Sequence, residues 1–279
     1  MMLERYYGVQ TMEWLVQVVD YTGQYIPVMD MLLPCYVCSK FRKAPNMIIT
    51  ICNDALSDDY VTVAGECNRI VLPQSPLGYV CGYLLSQMFL DLLSHIKNRC
   101  ALHCAVLVQK QSAILVVGKS HSGKSYFCKE AIIHSDVDCL SDDFAILKYG
   151  EHSILTENIF KPVYLRQDAV DDIECLERYF KTMRCNFPEE DKLVLFNHKL
   201  LMEDSFEVSR VVFLSRREKV SPSLRSLTTS EAYEKLLHNM LSKNLALNRQ
   251  CISKICNTIE CVSCVYSEAN DVLEMILNK

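Results

Sequence analysis

One stretch of this chain limits its architecture more than any other. Gly118-Lys119-Ser120-His121-Ser122-Gly123-Lys124-Ser125 follows the apolar run Ala113 to Val117 and precedes a helical segment that reaches about His134. The stretch fits G-x-x-x-x-G-K-[ST] in full, in the strand-to-helix setting the motif needs. The bare pattern arises by chance in roughly one chain in a hundred of this length, and the setting lowers that further. Successive backbone N–H groups of a glycine-rich turn form an anion nest that continues into the positive end of a helix dipole. An α/β fold with this turn at a strand's end is therefore expected.

The residue types suit a nucleotide's phosphates. Gly118 and Gly123 permit unusual torsions and close approach, Lys124 brings a point charge to the β and γ phosphates, and the Ser125 hydroxyl suits Mg²⁺. The expected nucleotide-contacting set is Gly118, Lys119, Ser120, His121, Ser122, Gly123, Lys124, Ser125 and Tyr126. His121 is read as a variable loop position, not a catalyst. The expected nucleotide is ATP, or GTP.

Downstream, Ser141-Asp142-Asp143 sits between the short apolar strands Val137 to Leu140 and Phe144 to Tyr149. An aspartate at such a strand end orients Mg²⁺ or its water in P-loop proteins. Beside a dication, two adjacent carboxylates can divide the work, one holding metal and the other accepting a proton from an attacking hydroxyl. Alone, an Asp-Asp pair is usually a solvated turn; its place after the loop favours the functional reading. His103 lies on the strand before the loop strand, among Leu102, Cys104, Ala105 and Val106, where a core histidine is the plainer reading. Arg166, and Arg216 or Arg217 after the strand Val211 to Leu214, are candidates to stabilise charge on a moving phosphoryl group, although such arginines more often sit in surface ion pairs.

The remaining chain divides at Pro73-Gln74-Ser75-Pro76-Leu77-Gly78, which neither continues a ladder nor opens a helix interior. Residues 1–76 read as a small, mainly β module with strands at Leu15 to Val19, Met47 to Ile51, Tyr60 to Val63 and Arg69 to Leu72. Residues 77–279 read as the phosphate-binding domain. It begins with an amphipathic helix over Tyr79 to Ile96 and a hairpin of Leu102 to Val108 with Ala113 to Val117. Thr228 and Glu231 have capping-box spacing and open a helix predicted to run through Leu241. A strand at Cys261 to Tyr266 and a helix over Glu268 to Leu277 follow.

Composition excludes some classes. A net charge of −5 argues against a general nucleic-acid binder, which needs a basic face. The apolar stretch Tyr79 to Ile96 carries Gln87, Asp91 and Ser94, as a buried helix does and a membrane span does not. No secretion signal is legible near Met1, so a cytoplasmic protein is expected. The 15 cysteines are then read as free thiols packed as small hydrophobes. Cys35/Cys38 and Cys261/Cys264 have the spacing of zinc ligands, with core packing the favoured reading.

Leu102-His103-Cys104-Ala105-Val106, the hairpin, the GKSHSGKS loop and Leu140-Ser141-Asp142-Asp143, in this order, resemble the HPr kinase/phosphorylase superfamily, whose fold is shared with phosphoenolpyruvate carboxykinase. The likeness spans about Tyr79 to Tyr149. It implies a P-loop kinase domain of phosphoenolpyruvate carboxykinase-like α/β fold, with a mixed sheet and flanking helices. By that resemblance His103, Lys124 and Asp143 act at the phosphoryl group, Ser125 binds magnesium and Asp142 is its partner. The glutamate-containing, glycine-rich segment of the bifunctional bacterial enzymes is not found here, so the resemblance does not extend to phosphorolysis or to HPr as substrate. The layout is closer to divergent HPr kinase-like proteins of peptide natural-product pathways, including lasso-peptide kinases.

The expectation is an ATP-dependent kinase that phosphorylates a hydroxyl of a peptide, protein or small molecule, a precursor peptide among them. Asp143 is its base, and Lys124 with Arg216 supplies positive charge. The rivals are a nucleotide-binding sensor or scaffold without transfer, and a carboxykinase-like enzyme. Oligomeric state, including a homo-oligomer, is left open.

Overall fold

Short runs rich in valine and isoleucine in the N-terminal third form strands of a single sheet. In a computed structural model, the described residues are 2–9, 14–33, 36–38, 44–53, 60–65, 69–73, 77–96, 98–119, 122–149, 153–159, 161, 163–166, 176, 178, 180–186, 191–197, 204–242 and 244–277. The chain divides into two units, Met1–Lys97 with Met183–Val194, and Asn98–Thr182 with Leu195–Lys279.

The first unit holds β1 (Leu3–Val9), β2 (Trp14–Asp20), α1 (Tyr25–Leu32), β3 (Val37–Cys38), β4 (Met47–Asn53), β5 (Tyr60–Ala64), β6 (Arg69–Pro73) and α2 (Leu77–His95). Its strands form one sheet in the order β3-β1-β2-β4-β5-β6. Sequence reasoning found four of these strands and missed α1, whose third residue is Pro27. Proline is tolerated in a first helical turn. The start of α1 is fixed by the fully buried Asp20, whose carboxylate accepts from the backbone N–H groups of Thr22, Gly23, Tyr25 and Ile26. Helix α2, assigned from sequence to the second domain, packs with this unit. The Trp14 indole donates to Asp91 Oδ2 at 2.8 Å, and Phe89 meets Tyr36 edge to face. Asp91 thus breaks the apolar stretch because it serves a buried indole.

The second unit contains β7 (Cys100–Leu102), β8 (Cys104–Gln109), β9 (Ser112–Val117), α3 (Lys124–His134), β10 (Asp138–Ser141), β11 (Ala145–Tyr149), β12 (Ile154–Glu157) and β13 (Val163–Arg166). After β14 (Phe180–Asn186) and β15 (Asp191–Asn197) come β16 (Ser205–Arg216), β17 (Ser223–Ser226), α4 (Thr229–Leu237), α5 (Leu245–Thr258), β18 (Glu260–Tyr266) and α6 (Asn270–Leu277). A mixed sheet runs β10-β8-β9-β16-β12-β11-β7, with β18 also on β16 and β17 on β18. Ala232, Leu236, Cys251, Ile252 and Ile255 of α4 and α5 close one face over Cys104, Val106, Leu115 and Val117. The alternate residues Ala105, Leu107 and Val116 are equally buried, so the sheet is covered on both sides, α3 lying on β8 and α6 on β18.

Three expectations meet this fold differently. The hairpin forms as read, with Gln109 opposite Ser112 and Lys110 at φ 58° in the turn. The predicted strand Leu102 to Val108 is two strands, because the chain bends at His103 and changes partners. Leu102 pairs with Ala145 of β11, and Cys104 pairs with Val117 of β9. The capping box at Thr228 and Glu231 is complete, but α4 ends at Leu237 instead of Leu241. There the chain turns to serve β7: Asn239 O accepts from His103 N at 2.7 Å, and Leu241 N donates to Ala101 O at 2.8 Å. Cys261 and Cys264 are buried strand residues of β18; Cys38 is half-buried on β3, and Cys35 lies outside the described residues. No helix among the described residues is long and apolar enough to cross a membrane.

Candidate active site

Strand direction decides which residues can meet. β16 runs parallel to both β9 and β18, whereas β8 is antiparallel to both β9 and β10. The C-terminal ends of β9, β10, β16 and β18 and the N-terminal end of β8 therefore lie at one edge of the sheet. That edge receives Gly118, Asp142 and Asp143, Arg216, Ser267 and His103, and it is the end at which α/β sheets bind ligands.

The turn after β9 is built around its two glycines. Gly123 has φ +91°, a left-handed torsion that side chains disfavour, and a Cβ there would lie 2.7 Å from the Tyr266 hydroxyl. A Cβ on Gly118 would collide with Ser122 Oγ. The Tyr266 hydroxyl donates to Gly123 O at 3.4 Å, and Ser122 Oγ is buried with no hydrogen-bond partner among the described residues. Ser120 and His121 lie outside the described residues. Gly123→Ala combines torsional strain with a clash. About 1.4 kcal/mol is tenfold in affinity, and strain of one such residue is of order 1–3 kcal/mol, so nucleotide binding is expected to weaken about tenfold or more. Titration with a fluorescent ATP analogue measures this; unchanged affinity would show that the turn does not bind phosphate.

Lys124 opens α3 and is only 7% exposed. Its ammonium donates to Gly118 O at 2.9 Å and Lys119 O at 3.3 Å. Burial pulls its pKa down, opposed by the charges of Asp143 and Asp142. The next residue, Ser125, donates from Oγ to Asp142 Oδ2 at 2.7 Å, and the same oxygen accepts from Tyr164 N at 3.1 Å. Asp142 Oδ1 is buried and has no partner among the described residues. Burial pushes the Asp142 carboxyl above the usual range, with Lys161 and Ser125 opposing.

That orphaned oxygen tests the fit of a magnesium ion. A buried carboxylate with one oxygen on a serine hydroxyl and the other unclaimed is a hard, all-oxygen donor set. Mg²⁺ takes few protein ligands and completes its shell with water and phosphate oxygens. Accordingly, no cluster of three or more His, Cys, Asp or Glu ligands is needed, and none occurs among the described residues. The residues fit such an ion, and Ser125 and Asp142 are the ones that would hold it.

Asp143 is differently placed. Its Oδ1 lies 3.5 Å from His103 Nε2, and its Oδ2 is ion-paired with Lys161 Nζ. Burial tends to raise its pKa, but Lys161, His103 and Lys124 outweigh this and the carboxylate is held below its ordinary value. Burial first, then Lys124, lowers the pKa of His103, so a neutral imidazole faces Asp143 near neutral pH. The bend that splits β7 from β8 is what turns His103 out of the core and toward this carboxylate.

Sequence reasoning thus named His103, Lys124, Ser125, Asp142 and Asp143, and the structure brings all five together. Arg216 reaches the loop on the other side, beside Gly123, as strand order requires. Its guanidinium lies 4.3 Å from the Tyr126 ring centroid, donates to Ser267 O at 3.1 Å and stands 3.7 Å from Glu268. These contacts hold it on the flank of α3, beside the loop. Arg217 is exposed, and the Arg166 side chain lies outside the described residues. Lys161 and Tyr266 were missed. Lys161 starts the Lys-Pro-Val-Tyr-Leu-Arg run and only its contact with Asp143 gives it meaning.

No family model matches the chain, and no curated protein matches it. Among solved structures it is similar to the HPr(Ser) kinase/phosphatase from Coxiella burnetii, at 14% identity over 62% of this chain and 89% of that one, with a TM-score of 0.29. A likeness that low carries no functional weight, and the function rests on the residues themselves.

Proposed function

We propose that this chain is a Mg·ATP-dependent kinase that transfers the γ-phosphoryl group to a hydroxyl, as on a serine-bearing peptide, a protein or a small molecule. The observation that carries the reading is the meeting of Lys124, the Ser125–Asp142 pair and the Asp143–His103 pair at one sheet edge. Magnesium, held by Ser125 and Asp142, would neutralise phosphate charge. The turn's N–H groups and Lys124 bind and orient the phosphates, and Lys124 offsets charge that grows on the leaving oxygen.

Asp143 stays ionised and is free of any backbone donor in the described contacts, which suits a proton acceptor. The acceptor's oxygen forms the new bond to the γ-phosphorus as the bond to the bridging oxygen of ADP breaks. The hydroxyl proton passes to Asp143. His103, neutral and adjacent, can hydrogen-bond the incoming hydroxyl or the transferred group.

The test has two arms. Melting of the full chain with Mg·ATP, and with ATP plus EDTA, is expected to show stabilisation that needs the metal. γ-Labelled ATP offered with a library of serine and threonine peptides is expected to leave label on a hydroxyl. Stabilisation with no label on any acceptor or in free phosphate would favour a nucleotide sensor instead, and absence of stabilisation would end both readings.

A further inference from the structure

The two aspartates are not held alike. Asp142 is 5% exposed and fixed by a serine hydroxyl and a backbone N–H. The Asp143 side chain is 51% exposed, and no backbone N–H donates to its carboxylate in the described contacts. A short carboxylate in that setting rotates between staggered positions, and a base turned away from the hydroxyl does nothing.

Lys161 answers this need. Its own side chain is only 13% exposed, so its ammonium has little freedom. Its backbone N–H donates to Leu140 O at 2.6 Å, which fastens it to the strand that ends in Ser141. The ammonium lies 5.4 Å from the Tyr164 ring centroid and 5.7 Å from that of Phe144, close enough for both rings to attract it. Three residues on, Tyr164 N binds Asp142. The segment that begins β13 thus reaches both aspartates, one through a side chain and one through the backbone.

We propose that Lys161 is a positioning residue for phosphoryl transfer: by occupying Asp143 Oδ2 it fixes the carboxylate so that Oδ1, the oxygen facing His103, receives the acceptor's proton. The inference rests on the kinase reading and adds a residue to it. Lys161 acts through Asp143 and is not required to touch the phosphates.

The experiment uses the full chain, Mg·ATP and water as acceptor, with released phosphate counted from γ-labelled ATP. Lys161→Met is expected to lower kcat about 10- to 100-fold with KM for Mg·ATP within about twofold, since only a step after binding is affected. Lys161→Arg, which keeps the cation, is expected to retain most of the rate. The double variant Lys161→Met, Asp143→Asn is expected to be no slower than Asp143→Asn alone, because the two residues act as a unit. Should Lys161→Met melt below the assay temperature, Lys161→Gln carries the same comparison.

An unchanged kcat in the neutral variants overturns the proposal, as do losses that multiply in the double variant or an arginine variant as slow as methionine. A wild type that binds Mg·ATP and passes label neither to water nor to any peptide of the library fails the transfer reading itself, which the wild-type arm alone reveals.

Discussion

Lys124→Ala is expected to lower turnover of Mg·ATP by about three orders of magnitude, the scale found when a preorganised charge or donor is removed from a developing anion. The ammonium is nearly buried and points back into its own turn, onto Gly118 O and Lys119 O. Bound phosphate would replace those carbonyls, so the charge is in place before the nucleotide arrives and little reorganisation is needed. The same placement predicts that folding survives. The alanine variant removes a cation that burial already disfavours, and of the two carbonyls it leaves, that of Lys119 belongs to an exposed residue while that of Gly118 is buried. Released phosphate, nucleotide affinity and melting temperature together check the claim: turnover within tenfold of wild type, in a protein that melts normally, would remove Lys124 from the chemistry.

The site was legible because its signals are local. Gly118, Gly123, Lys124 and Ser125 are a fixed-spacing motif, and Asp142-Asp143 lies between two apolar runs, so neither needed a long-range contact to be noticed. Lys161 was illegible for the converse reason. Its meaning depends on β13 returning to the end of β10, and no spacing in the chain announces that return. His103 was read as a strand residue because its neighbours are apolar on both sides. The exchange of partners from β11 to β9, with Asn239 O taking the His103 N–H, belongs to the sheet and not to the segment. Arg216 was legible in part: its place beside the loop follows from a parallel strand, whereas its contacts with Tyr126, Ser267 and Glu268 belong to the tertiary fold. The proline-rich break marks a local change of structure, whereas the partners of α2 lie at Trp14 and Tyr36, far back in the chain.

Asp142→Asn is expected to move stability and activity in opposite directions. In the metal-free protein the buried Oδ1 carries charge with no partner, and burial raises the carboxyl's pKa in the folded state. The folded protein then keeps this proton to a higher pH than the unfolded chain does. Between those two values it binds more protons than the unfolded state, and stability falls as pH rises. Wherever the carboxylate is ionised in the folded state it is held at a cost to the fold, of the order of 1–3 kcal/mol for an unsatisfied buried group. Asparagine removes the charge while its side-chain oxygen can still accept from Ser125 Oγ and Tyr164 N. In EDTA at neutral pH the variant should therefore melt higher by a few degrees, at roughly 2–4 °C per kcal/mol for a chain of this size, and the advantage should shrink as the pH is lowered toward the ordinary carboxylate range. With magnesium the order reverses. The wild type should gain ATP affinity from the metal and turn over, whereas the variant should lose the metal-dependent gain and about 100-fold or more in rate, as for other removals of transition-state charge stabilisation. Calorimetric scans with and without magnesium, beside phosphate release, separate these effects. A variant that melts lower than wild type in EDTA, or that keeps the full magnesium effect on ATP binding, would mean that the orphaned oxygen is not a metal ligand waiting for its ion.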